Sequence, residues 1–195
     1  MDFLNRTWTD VVNRTWTDVV NKALAALGRE LIADMEQEGS DAEFARLFLP
    51  EAVSVCAGWF DWTFLRRSTS LAPDTVATGP FRYSYTLPSD AMRTTKVDVG
   101  EEEFFFMQNR VCTDSDTCRV TYQAIPSEPV ANAPLWSAAL VHYLTFLMGK
   151  SLTGNDALVQ QEYSLFQACI EKARRDDRSW ISRKGSTLWS EARDA

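Results

Sequence analysis

The sequence predicts an α+β fold, mainly α: a helical bundle with an antiparallel β insertion and extended termini. Three observations lead to it. Apolar residues recur at steps of three and four over 17–28, 41–57, 134–148 and 156–177, the spacing of one buried helix face. Residues 69–125 instead favour Thr, Val, Tyr and Phe with turn residues between, as in short antiparallel strands. Residues 1–16 and 179–195 fit neither pattern and read as an N-terminal extension and a C-terminal tail around a main domain of 17–178.

Residues 5–12 and 13–20 are one octapeptide, Asn-Arg-Thr-Trp-Thr-Asp-Val-Val, written twice. Eight is neither a heptad nor an eleven-residue helical period, and two copies are too few for a solenoid. The repeat therefore reads as a local duplication that need not pack. In the helix that follows, Val20, Ala23, Leu24 and Leu27 form one stripe, Thr17 is a candidate N-cap and Gly28 a stop. Ser40 and Glu43 have the spacing of a capping box ahead of Phe44, Leu47 and Phe48. Pro50 is expected to kink or restart that helix. Trp59, Phe60, Trp62 and Phe64 then make an aromatic plug for the core.

In the β region Tyr83 and Tyr85 stand two apart, so both rings share one face of a strand that Leu87-Pro88 terminates. Asp90 and Arg93 follow in the turn and have the chemistry to pair. Strands are expected over 95–99, 103–111 and 119–124, with Thr113, Asp114, Ser115, Asp116 and Thr117 as a hairpin tip in solvent. Cys112 and Cys118 flank the tip and could face each other, although free thiols are expected in a reducing cytosol.

Pro134 suits the first turn of a helix that is apolar nearly all round from Leu135 to Leu147 and belongs at a centre or under a neighbour. Asn155 caps the last helix, whose stripe is Val159, Tyr163, Phe166, Ile170 and Ala173. The charge run from Lys172 to Arg178 reads as a solvated face. Beyond it Trp180, Ile181, Leu188 and Trp189 look like anchors for another surface, or fold back on the parent domain.

A net charge of −7 disfavours binding by phosphate neutralisation but suits a wall past which DNA slides. The four cysteines and single histidine, His142, lack the spacing of a zinc or redox site, and no cofactor-binding fingerprint, phosphate loop or nucleophile elbow is present. The longest apolar stretch is broken by His142 and Thr145 and is too short to span a bilayer, and the opening Met1 to Asn5 does not resemble a signal peptide. A cytosolic chain with no membrane partner is expected.

Three motifs in order carry a family resemblance: Asn21-Lys22-Ala23-Leu24-Ala25-Ala26-Leu27-Gly28; Trp62-Thr63-Phe64; and Tyr83-Ser84-Tyr85-Thr86-Leu87-Pro88-Ser89-Asp90 running on to Arg93. With the hairpin, the Leu135-to-Leu147 helix, Ser151-Leu152-Thr153 and the last helix, the order from about 19 to 177 resembles the tail tubular protein A family of tailed phages, the adaptor ring between portal and tail. The resemblance implies a non-enzymatic connector in the virion neck, assembled in the host cytoplasm. It implies a homo-oligomeric, dodecameric ring around a channel that passes genomic DNA without reading it, in contact with the portal protein and with a tail or nozzle protein. Trp180, Ile181, Leu188 and Trp189 would be the portal side, and Thr113 to Thr117 the tail side or the adjacent subunit. Two other classes remain as alternatives: a virion-associated peptidoglycan hydrolase using the Glu101-Glu102-Glu103 run, and a monomeric binding module.

Overall fold

A computed structural model describes residues 15–74 and 80–184, with residues 179–184 described by backbone alone. The fold is mixed α+β, with four helices among the described residues and two small antiparallel sheets. The chain divides into a helical unit, residues 1–64 and 127–195, and a β unit, Leu65–Pro126.

In the helical unit, α1 (Trp16–Ala26) begins one turn into the second octapeptide. Its cap is Thr15 rather than Thr17: the Thr15 hydroxyl accepts from the Asp18 N–H at 3.2 Å while the Asp18 carboxylate accepts from the Thr15 N–H at 2.9 Å. Trp16 donates its indole N–H to the Ser127 carbonyl at 2.9 Å, and Val19 and Val20 are buried. Val19 and Val20, which close the second repeat copy, are thus core, in a helix that starts at Trp16 rather than at 17; the first copy lies outside the described residues. Gly28 takes the left-handed φ of 67° that stops the helix. Asn21 then holds the following loop through two bonds with the Ile32 backbone, at 2.9 and 2.8 Å.

Helix α2 (Ser40–Gly58) runs through Pro50 as one element. The expected capping box does not form, because Ser40 is already helical and the cap is Gly39, whose φ of 129° only glycine accepts readily. Asp41 in the first turn pairs with Arg29 at 2.9 Å, a favourable place for a carboxylate. The plug follows: Trp62 is fully buried and Thr63–Leu65 form a 3-10 turn.

Helix α3 (Pro134–Thr153) continues past the expected end at 148 to Gly154, in the left-handed conformation at φ 63°. Its Gly149 lies flush against the side chains of Val159 and Leu27. Helix α4 (Asp156–Lys184) starts where Asn155 accepts the Leu158 N–H at 3.1 Å. Because α3 packs on α1, α2 and α4, it is the centre of the unit, as its all-round apolar sequence requires.

Among the described residues the β unit has six strands: β1 (Arg66–Leu71), β2 (Tyr83–Thr86), β3 (Ala91–Asp98), β4 (Phe104–Met107), β5 (Arg110–Thr113) and β6 (Cys118–Ala124). They form two antiparallel sheets ordered β1-β6-β3 and β2-β5-β4. Alternate residues of β6, namely Cys118, Val120, Tyr122 and Ala124, join Tyr85, Val111 and Val99 in a core shared by both sheets. The expected single strand over 103–111 is a hairpin instead. Gln108 and Asn109 turn it, with Gln108 at φ 55° and Met107 opposite Arg110.

The segment 113–117 is not a hairpin tip either. It carries the chain from β5 in one sheet to β6 in the other, so Cys112 and Cys118 sit in different sheets as buried free thiols.

Candidate interaction surfaces

The residues of the resemblance motifs are joints of the packing. Trp62 and Trp136 both donate their indole N–H to the carbonyl of Cys56, at 2.9 and 3.2 Å. That carbonyl lies in the last turn of α2, where helical partners run out. Phe64 tilts against Trp62 with ring centroids 5.5 Å apart and meets Trp136 edge-on at 5.9 Å. Burial pushes the Cys56 thiol far up, so it stays protonated and acts as core.

Tyr83 and Tyr85 share a face, as their spacing predicts, with rings 6.5 Å apart. Tyr85 is fully buried and donates to the Ser115 carbonyl at 2.9 Å. Burial raises its phenol pKa first, and nearby Cys118 and Asp116 add to the shift. Leu87 donates its N–H to the Asn109 carbonyl at 3.0 Å, and Pro88 accepts from Ala91 in the turn. The partner of Asp90 is Arg67, at 2.7 Å, rather than Arg93; Tyr122 donates to the same carboxylate at 3.2 Å. The β1-β6-β3 register brings Arg67 there from 23 residues away. Arg93 is exposed and lines a groove of about 250 Å³ with Leu87, Ala91, Met92 and Phe106.

Of the expected tail-side contacts, only Asp114, Asp116 and Thr117 are exposed. Thr113 and Ser115 are buried: Thr113 donates to the Glu103 carbonyl at 2.7 Å, and Ser115 donates to the Thr117 carbonyl at 2.8 Å. Asp114 accepts the Arg82 N–H at 2.9 Å. Of the expected portal-side contacts, Trp180 and Ile181 lie in the last turns of α4, described by backbone alone, and Leu188 and Trp189 fall outside the described residues.

Two buried carboxylates were not expected. Glu162 is hydrogen-bonded to His142 Nδ1 at 2.7 Å, across α3 and α4. Asp177 accepts from both the N–H and the hydroxyl of Thr63, capping the 3-10 turn. Asp177 is therefore core, and the run from Lys172 to Arg178 is solvated on one side only; Arg178 lies 5.2 Å over the Phe60 ring. A cavity of about 540 Å³ opens beside Asp177, between Phe64, Pro134 and Trp136.

Glu101, Glu102 and Glu103 stand exposed ahead of β4. Among the described residues no cluster of His, Cys, Asp and Glu is placed to hold a metal, and no helix is long and apolar enough to cross a membrane.

Among the described residues, two apolar patches face solvent. On α2, Leu47 is 65% exposed beside the stacked rings of Phe44 and Phe48. On the β unit, Phe104, Phe105, Phe106 and Met107 are all exposed.

No family model matches the chain, and no curated protein matches it.

Proposed function

We propose that the chain is a head-to-tail connector subunit, forming a ring between portal and tail of a phage and lining the channel through which DNA passes. The observation that carries the reading is the ordered motif set, with Asn21, Trp62 and Tyr85 each at a joint of its own unit.

Three further features support it. The chain order of two helices, a β insertion and two more helices fits the helical bundle that the resemblance implies. A cyclic ring needs two unlike faces on each subunit, and the exposed apolar residues at Leu47 and along β4, one set on each unit, are in keeping with that need. A net charge of −7 suits a wall that must not hold phosphate.

Electron microscopy of the purified chain mixed with its portal tests the proposal. Added ring density at the narrow end of the portal is expected. A folded chain that gives no complex overturns the reading. The same mixture with a chain truncated after Lys184 tests the tail: binding is expected to fall at least tenfold, and full-strength binding would remove Leu188 and Trp189 as portal contacts.

A further inference from the structure

Strand β4 differs from every other strand of its unit in having no buried or half-buried residue. Phe104 is 39% exposed, Phe105 56%, Phe106 51% and Met107 39%. It pairs with β5 on one side only and ends its sheet on the other. An apolar edge of this kind, with N–H and C=O groups pointing outwards, is a template for another strand. Phe104 and Phe106 fall on the face of Val111, the partner of Phe106 in the ladder, while Phe105 lies on the opposite face against Phe81 at 5.4 Å.

The edge is also electrically two-ended. Glu101, Glu102 and Glu103 precede it, all exposed. At its other end the Gln108-Asn109 turn is flanked by Arg110, which lies 3.6 Å from Asp74 and keeps 43% of its side chain exposed, and Arg93 lines the groove that Phe106, Gln108 and Asn109 share. A strand that runs antiparallel and carries the same sequence answers both ends at once, acid against base, whereas parallel pairing in register would stack the glutamates.

We propose that the free chain pairs through β4 with β4 of a second copy, across a two-fold axis normal to the sheet. Such an axis keeps each face of the sheet on its own side. The register that follows sets Phe105 opposite Phe105 of the second copy and Phe104 opposite Phe106, and continues the three-stranded sheet into the second copy. Four residues per strand are a small interface, so the pair is weak and depends on concentration. The proposal does not rest on the connector reading, since a two-fold contact cannot by itself close a ring. It describes the chain before assembly, and any ring contact that uses β4 requires the pair to part.

Sedimentation equilibrium of the full chain over a wide concentration range tests it, with Phe105→Lys as the variant and circular dichroism as the check on folding. A monomer–dimer equilibrium is expected, with the dissociation constant raised at least tenfold in the variant and weakened by salt in the parent. Phe105→Cys under mild oxidation should give a disulfide-linked dimer, and Lys96→Cys, exposed on β3, should not. A chain that is monomeric throughout, a dimer indifferent to Phe105→Lys, or equal cross-linking by Lys96→Cys overturns the proposal. Failure to bind a portal would leave these results untouched.

Discussion

Trp62 and Trp136 share one acceptor, the Cys56 carbonyl, although they stand on opposite sides of the β insertion in sequence. The pair ties the end of α2 to the start of α3. Trp62→Phe or Trp136→Phe alone keeps most of the ring volume and leaves the carbonyl one donor. The double variant leaves it neither. Urea unfolding of the single and double variants should show a double cost exceeding the sum of the singles by about 1 kcal/mol, the penalty of a buried carbonyl stripped of its partners.

Asp177 offers a second measure of the same region. Asp177→Ala removes both bonds to Thr63 and opens space beside the 540 Å³ cavity. A loss of about 2–3 kcal/mol is expected by thermal or urea unfolding. Lys172→Ala, on the exposed side of the same run, should change stability by less than about 0.5 kcal/mol.

How far these joints were legible in the sequence depends on how local they are. The Asn155 cap, the Gly28 stop and the Tyr83/Tyr85 face are set by neighbours a few residues away, and spacing alone finds them; the Gly154 stop was missed because Gly149 offers an earlier glycine, which the helix runs through. The Asp90–Arg67 pair was not legible, because only the sheet register brings β1 beside the Asp90 turn. Gln108 gave no turn signal, since glutamine has no special claim on positive φ. The cap at Thr15 was missed for another reason: two threonines lie within three residues, and only the Asp18 reciprocity separates them. Glu162 and Asp177 could have been found. Both fall on the three-and-four stripe of Val159, Phe166, Ile170 and Ala173, where an acid is out of place unless it has a partner.

Asp74 should give the β unit an acid-sensitive contribution to stability. Burial pushes its carboxyl pKa up, but hydrogen bonds from Ser84 and Thr86 and the nearby Arg110 outweigh this and hold it below the ordinary 3.8. The folded state thus prefers the charged form. Its contribution is complete above the unfolded pKa and is lost as pH falls through that value and then the lower folded one. Asp74→Asn should cost about 1 kcal/mol at pH 7 and flatten the acid limb of a stability–pH curve. Equal acid limbs in parent and variant would count against this role.

Gly154 closes α3 with a left-handed residue whose N–H reaches the Lys150 carbonyl at 3.2 Å. A Cβ there meets no neighbour, so strain in the backbone is the whole effect. Gly154→Ala is expected to lower stability by about 1 kcal/mol, with Gly154→Asn losing less.

The β unit leaves the chain where it enters. Its first and last strands are neighbours in one sheet, with Arg66 opposite Gln123, so the two ends of a sixty-residue excursion stand about one strand spacing apart. To the chain, the whole excursion is equivalent to a short turn, closed by the β1–β6 ladder itself.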